Sequence, residues 1–123
     1  MSKVLLITGA SSGIGEATAR KAAQEGLKLI LTARRKDKLG ALVKEFGEDN
    51  AVGVAADAGN YDELEQAVKQ GVDKFGQLDA VFANAGTGVS TPGTEEGDAE
   101  EWKQMVDVNI NGLLYTAKLT LPH

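Results

Sequence analysis

Four short apolar segments recur along the chain, and a segment with helical periodicity follows each of them. The apolar segments are KVLLIT, KLILT, AVGVA and LDAVFA, which begin at Lys3, Lys28, Ala51 and Leu78. The first two are rich in Val, Leu and Ile without polar alternation, which is typical of strands covered on both faces. A repeated strand–helix–strand order predicts an α/β fold with a parallel sheet and right-handed crossovers. We expect strands at about 3–8, 28–32, 51–55 and 78–82.

The segments between these strands carry apolar stripes at the spacing of a helix face. One stripe runs from Leu39 to Phe46 and another from Leu64 to Phe75, and Asn60 with Glu63 has the spacing of a capping box. A glycine follows three of the helical segments, where it can take a left-handed conformation without a Cβ clash. These glycines are Gly26, Gly47 and Gly76. We predict helices at about 13–25, 36–46, 60–75 and 98–121.

A glycine-rich loop, TGASSGIG, follows the first strand at residues 8–15. Gly9 permits a tight turn, Gly13 lets the backbone approach a pyrophosphate, and Gly15 removes a side chain where the helix meets the strand. The N–H groups and the dipole at the start of the following helix favour an anion. No Gly-Lys-Ser/Thr follows, which argues against a P-loop NTPase. The loop predicts a dinucleotide phosphate site, and the alternative is a tight turn without a ligand.

The residues at the end of the second strand, LTARRK, indicate which cofactor the site binds. NAD-binding proteins usually carry an acidic residue there, which accepts from the ribose 2′-OH. Ala33 occupies that position here, and Arg34 and Arg35 follow it. Guanidinium groups bind a phosphate in a bidentate manner, and Ser11 and Ser12 could donate hydroxyls to the same group. We therefore predict NADP as the cofactor. The alternative is a solvated basic start to a helix, although cations are unfavourable in a first helical turn.

Composition excludes several other classes of protein. The chain has 123 residues, a net charge of -5 and no cysteine. This length fits one domain, and the lack of cysteine excludes disulfides and thiolate metal sites and favours a reducing compartment, so we expect a cytoplasmic protein. The negative charge argues against a nucleic-acid partner. No apolar run approaches the length of a membrane span, so we expect no membrane association.

Together, TGASSGIG, LTARR, Asp57, NAG at 84–86 and DVNINGLLYTAK resemble the short-chain dehydrogenase/reductase family from residue 3 to residue 123. The resemblance implies a Rossmann-like doubly wound parallel sheet with strand order 3-2-1-4 that binds NADP. It also implies that Asp57 and Ala58 hold the adenine, that Asn84 braces the fourth strand, and that the backbone at 85–86 approaches the nicotinamide-side ribose. The expected cofactor-binding residues are Gly9, Ser11, Ser12, Gly13, Ile14, Gly15, Arg34, Arg35, Asp57, Ala58, Asn84, Ala85 and Gly86.

Alternatives to that interpretation remain for individual residues and for the fold. Asp57 would be an ordinary strand-end cap, and residues 84–86 an ordinary turn. A flavodoxin-like phosphate-binding fold is the competing architecture, which LTARR and NAG disfavour.

Asn109 is the polar member of an otherwise apolar stripe in the last helix. The stripe consists of Trp102, Met105, Val106, Asn109, Ile110, Leu113, Leu114 and Ala117. A buried amide requires hydrogen-bond partners, so one interpretation is an asparagine that bonds a backbone carbonyl and bends the helix. By the family resemblance, Asn109 is the catalytic asparagine, which holds a water in the proton relay. The two interpretations are compatible.

The remaining catalytic groups of that family are a serine and a tyrosine with a lysine four residues later. Tyr115 and Lys118 are three residues apart and lie in the asparagine-bearing helix. We therefore predict that they are helix-surface or interface residues. The chain is expected to be the N-terminal half of a larger NADP(H)-dependent enzyme that interconverts a carbonyl compound and an alcohol, and to be inactive by itself. The alternative is a non-catalytic nucleotide-binding or structural module.

The segment LDAVFANAG at 78–86 would form a strand with an unpaired outer side in this chain. It has no proline or lysine between Leu78 and Asn84 to prevent pairing with another chain. The apolar stripe of the last helix adds a second surface that association would bury. We therefore predict a homo-oligomer.

Overall fold

Four parallel strands form one sheet in the computed structural model, which describes residues 2–11, 13–86 and 97–123. The strands are β1 Val4–Thr8, β2 Lys28–Ala33, β3 Ala51–Ala55 and β4 Ala80–Ala83. The helices are α1 Gly13–Gln24, α2 Lys36–Phe46, α3 Tyr61–Phe75, α4 Ala99–Val106 and α5 Gly112–Thr120. The sheet has the order β3-β2-β1-β4, which confirms the predicted strand order and the doubly wound α/β class.

The central strands are buried on both faces, as their unbroken apolar sequence predicts. On one face, Ile7 and Leu31 pack with buried residues of α1 and α2. On the other, Leu6 and Ile30 pack with Val68 of α3. The pairs Leu6–Ile30 and Ile7–Leu31 are in register across β1 and β2. Because all the strand pairs are parallel, the carboxyl ends of the strands lie together at one edge of the sheet.

The predicted helix at 98–121 is interrupted by a π-helical turn, Asp107–Asn111, which joins α4 to α5. The buried residues of this segment are Val108, Gly112, Thr116 and Thr120. Within this chain, Ile110, Leu113 and Leu114 of the predicted stripe are 55%, 52% and 62% exposed, so the stripe is the surface for which the sequence predicts association and is not the buried face of the helix. A π turn adds a residue to the helical path and rotates the positions that follow it.

Small residues form the inner face of α5 because it approaches the neighbouring backbone closely. The hydroxyls of Thr116 and Thr120 donate to the carbonyl oxygens of Gly112 and Thr116, at 2.7 and 2.6 Å, so this inner face carries no unsatisfied hydroxyl.

Asn109, expected to be a buried amide, is exposed.

Strand β4 lies at one edge of the sheet and pairs only with β1 within the described residues. Val81 on this strand is 38% exposed. A groove of about 420 Å³ lies between β4 and α5, and Leu113 and Leu121 line it together with Val81. No helix in the described part of the chain has the length and hydropathy of a membrane-spanning segment.

Candidate cofactor-binding cleft

A cleft of about 370 Å³ lies at the carboxyl ends of the strands. In the order β3-β2-β1-β4 the chain reverses its direction across the sheet next to β1, and ligands of open α/β sheets bind at such a point. Nine of the predicted cofactor residues line the cleft: Gly9, Ser11, Arg34, Arg35, Asp57, Ala58, Asn84, Ala85 and Gly86. Gly13, Ile14 and Gly15 lie beside it at the start of α1, and Ser12 lies outside the described residues.

The glycine-rich loop, α1 and the segment after β4 contact one another through glycine backbone. Gly9 has a φ of +69°, and a Cβ on it would lie 2.9 Å from the Cα of Ala85. A Cβ on Gly15 would collide with the carbonyl oxygen of Gly9. The predicted roles of Gly9 in a tight turn and of Gly15 in close packing are therefore confirmed. Side chains at either position would separate the three segments.

Two side chains fasten the end of β4 to the glycine-rich loop. The buried Oγ1 of Thr8 accepts from the backbone N–H groups of Asn84 and Ala85, each at 3.0 Å. The Nδ2 of Asn84 donates to the carbonyl oxygen of Gly9 at 3.2 Å. Asn84 thus braces β4, as the resemblance implied. The contribution of Thr8 was missed, although a threonine that ends an apolar strand just before a glycine is a usable signal.

The start of α1 leaves open space for an anion. Gly13 has a φ of +58°, and apart from its chain neighbours and the backbone of its own helix, no described atom lies within 4 Å of the position that its Cβ would occupy. The next side chain, Ile14, is 70% exposed. The N-terminus of a helix presents unpaired N–H groups and a positive dipole end, so this opening suits a phosphate group.

The two arginines at the end of β2 differ in their partners. Both side chains are exposed at the cleft. The Nη2 of Arg35 lies 3.2 Å from the Oδ2 of Asp37, and this hydrogen bond lowers the pKa of the Asp37 carboxyl. Arg34 makes no ion pair with any described residue. Arg34 is therefore the guanidinium available to a ligand phosphate, whereas Arg35 would have to share one with Asp37.

The loop after β3 is held by a carboxylate from α3. Asp57 Oδ1 accepts from the N–H of Gly59 at 2.9 Å. The N–H of Asp57 and the Nδ2 of Asn60 donate to the two carboxylate oxygens of Glu63, at 3.1 and 3.0 Å. Asn60 caps α3 by accepting from the N–H of Glu63 at 3.1 Å, as the capping-box spacing predicts. The Glu63 carboxylate reaches three residues further back than a capping box requires, which sequence spacing did not reveal.

Asn109 lies on the π turn, next to the segment after β4. A Cβ on Gly86 would lie 3.2 Å from the Oδ1 of Asn109. Asn109 lines a small cavity of about 50 Å³ that adjoins the cleft and is shared with Thr8 and Ala85. Its neighbour Val108 is buried and lines the cleft itself. Asn109 thus lies beside the cleft, on a type of turn that occurs frequently at functional sites.

Tyr115 and Lys118 pack α5 against α3 instead of lining the cleft. The rings of Tyr61 and Tyr115 meet edge to face with centroids 5.4 Å apart. Lys118 Nζ lies 5.4 Å from the centroid of the Tyr61 ring. These contacts place both residues at a helix–helix surface, in agreement with the prediction.

A parallel sheet of this order, a glycine-rich loop at the start of α1 and a cleft at the reversal of strand order define a Rossmann-like fold. A family model described as short chain dehydrogenase matches residues 3–123. The chain belongs to this family.

Relatives and solved structures agree with this assignment. An uncharacterized oxidoreductase of Staphylococcus aureus is 41% identical over 120 residues, which cover 98% of this chain and 52% of that protein. A 3-ketoacyl-(acyl-carrier-protein) reductase of Brucella melitensis, solved with NADH, has a TM-score of 0.93 at 36% identity, over 98% of this chain and 50% of that chain. A short-chain dehydrogenase/reductase of Burkholderia phymatum, solved with NAD, has a TM-score of 0.92 at 30% identity, over 98% of this chain and 43% of that chain. The chain thus spans about half the length of the curated relatives that it matches.

Proposed function

We propose that this chain is the NADP(H)-binding part of a short-chain oxidoreductase that interconverts a carbonyl compound and an alcohol by hydride transfer. The observation that carries the proposal is the pair Arg34 and Arg35 at the cleft, where Ala33 replaces the usual acidic residue. A 2′-phosphate would meet guanidinium donors there and no carboxylate directly at the end of β2. Two solved neighbours were determined with NADH and NAD, which supports a nicotinamide dinucleotide in this cleft.

We propose a matching group, in or beside the cleft, for each part of the cofactor. Asp57 Oδ1 already accepts from the N–H of Gly59. The other carboxylate oxygen of Asp57, together with Ala58, would therefore hold the adenine. The start of α1 at Gly13 would hold the pyrophosphate. The backbone at 85–86 would lie against the nicotinamide-side ribose. A nicotinamide cofactor bound there would supply or accept the hydride, and Asn109 would hold a water of the proton relay.

Arg34→Ala is the direct test of cofactor choice. We expect the substitution to weaken NADP binding by roughly 10- to 100-fold, because a hydrogen bond to a charged group contributes about 1.5–3 kcal/mol. NAD binding should be unchanged, because NAD has no 2′-phosphate. Titration of both cofactors against the unsubstituted chain and the variant measures the difference.

Arg20→Ala is the matched control for this experiment. Arg20 is also an exposed guanidinium, but it lies on α1 and bonds Glu16 at 2.6 Å and Glu45 at 3.0 Å. It does not line the cleft, so its removal should change neither cofactor's affinity. Equal affinities for NADP and NAD that Arg34→Ala leaves unaltered would show that the arginines do not select the cofactor.

A second candidate function is nucleotide binding without catalysis. It is favoured by the packing of Tyr115 and Lys118 between helices, away from the cleft. Of the family's catalytic groups, only Asn109 has a counterpart in these 123 residues. Both functions predict cofactor binding by these 123 residues, and neither predicts carbonyl reduction by them alone. A cytoplasmic location stays a prediction from the cysteine-free sequence.

We also propose that the chain self-associates through β4 and α5. The exposed side chains of Val81 and Leu113 line the groove between these elements, and Leu114 is 62% exposed on α5. An unpaired strand edge and exposed apolar residues favour pairing with another chain. Val81→Lys and Leu114→Lys should each shift the protein toward the monomer, because burying a lysine in an interface is costly. Light scattering at several concentrations measures the mass.

Gln70→Lys provides the control for the added charge, because Gln70 is exposed on α3. We expect this variant to keep the mass of the unsubstituted chain. A monomer at tens of micromolar before any substitution would refute self-association through this surface.

A further inference from the structure

Gly112, the first residue of α5, touches the backbone of the loop after β3. A Cβ on Gly112 would lie 2.8 Å from the carbonyl oxygen of Ala58 and 3.1 Å from its carbonyl carbon. Alanine is the better helix former within a continuous helical path, so helix propensity does not explain a glycine here. The close approach of Ala58 does explain it, because the neighbour is backbone and cannot rotate away.

A second glycine makes the reciprocal contact from the loop. A Cβ on Gly59 would lie 3.2 Å from both the Cβ and the carbonyl carbon of Asp107, the first residue of the π turn. The loop is thus held on one side by Glu63 of α3 and on the other by the π turn. Within the turn, the Nδ2 of Asn111 donates to the Oδ1 of Asp107 at 3.0 Å and links its ends.

These contacts join two walls of the same cleft. The loop contributes Asp57 and Ala58 to the lining, and the π turn contributes Val108. We propose that Gly112, with Gly59, is a positioning residue that sets the distance between these walls and so shapes the pocket for the adenosine half of the cofactor. The inference rests on the proposed function, because it requires that the cleft bind a dinucleotide. Because Asn109 lies on the same π turn, the two glycines also fix the position of this asparagine, for which the relay role is proposed.

Gly112→Ala tests the inference, with Gly71→Ala as the matched control. Both add one methyl group to a buried helical glycine, and the methyl at Gly71 would collide with the Ile30 side chain, in the core away from the cleft. We expect Gly112→Ala to weaken binding of adenosine 2′,5′-bisphosphate by roughly fivefold or more, the equivalent of one lost hydrogen bond. It should also speed hydrogen exchange at the Gly59 amide, which is bonded to Asp57. Gly71→Ala should lower thermal stability without either change.

Several outcomes would overturn the inference. Equal weakening of ligand binding in the two variants would mean that lost stability alone is responsible. Binding and Gly59 exchange that both survive Gly112→Ala would show that the contact does not position the loop. If the unsubstituted chain does not bind adenosine 2′,5′-bisphosphate, the proposed function fails and this inference fails with it. If it binds and only the variant's response is absent, the inference fails alone.

Discussion

A polypeptide of these 123 residues is expected to bind NADPH and to leave carbonyl compounds unreduced. Proton transfer by a positioned acid typically contributes about 10²–10⁴-fold, and a donor that stabilises the developing charge contributes about 10²–10³-fold. The sequence does not contain the family's Tyr-x-x-x-Lys. Tyr115 does not replace it at the cleft, because its ring packs on Tyr61. We therefore expect the rate of carbonyl reduction to be about 10⁴-fold lower, or lower still, than the rate of a relative that has all these groups. Oxidation of NADPH in the presence of simple aldehydes and ketones measures the rate.

Two variants separate true catalysis from a contaminant. Tyr115→Phe removes the only phenol on α5, and Asn109→Ala removes the predicted relay residue. Neither should alter a background rate that comes from another protein. Oxidation of NADPH that scales with the amount of chain and is lost in Tyr115→Phe would refute the prediction and make Tyr115 a proton donor.

Sequence reasoning was most successful where one local pattern determines one structure. The unbroken apolar runs at β1 and β2 predicted strands buried on both faces, and glycine spacing predicted the turn at Gly9. The apolar run predicts the fourth strand at about 78–82, whereas the strand spans Ala80–Ala83, because Leu78 is buried outside it. Periodicity indicates that a residue is buried, but it does not indicate whether that residue belongs to a strand or to a loop.

The last helix shows what a periodic pattern cannot determine. Its apolar residues predicted a face that is covered, but within the single chain Leu113 and Leu114 are exposed, and Gly112 and Thr116 face the interior. Two conditions that are invisible in the local sequence decide this orientation. One is the π turn, which changes the rotation of α5, and the other is the close approach of the Ala58 backbone, which only a glycine permits. A stripe therefore predicts that a surface will be covered without stating by what.

The cleft shows a similar division between backbone and side-chain contacts. Residues recognised from glycine spacing or from family motifs, such as Arg34 and Asn84, do line it. Thr8 organises the cleft through a hydrogen bond to the N–H of Asn84, which is far from it in the sequence. Glu63 does so by accepting from the N–H of Asp57, a partner that the capping-box spacing does not predict. Such contacts depend on the three-dimensional approach of β1 to β4 and of α3 to the loop, which no single segment encodes.

Gly15→Val is expected to abolish useful cofactor binding, with a loss of roughly 100-fold or more in affinity. A Cβ at this position would already collide with the carbonyl oxygen of Gly9 and crowd the Nδ2 of Asn84, at 2.7 Å. The loop would have to move away from α1, which removes the pyrophosphate from the helix N–H groups. Losing two such charge-assisted hydrogen bonds accounts for that factor. Overpacking should also lower the free energy of unfolding by about 1–3 kcal/mol. Calorimetric titration and thermal unfolding measure the two effects.

Gly40→Val is the control that removes helix propensity from this comparison. Gly40 lies within α2, and apart from its chain neighbours and the backbone of its own helix, no described atom lies within 4 Å of the position that its Cβ would occupy. Valine is a better helix former than glycine at an interior position, so this variant should be as stable as the unsubstituted chain, or slightly more stable, with unchanged cofactor affinity. If Gly15→Val kept both its stability and its cofactor affinity, the loop would not be held by the contact between Gly9 and Gly15. The cofactor would then have to bind elsewhere than at the start of α1.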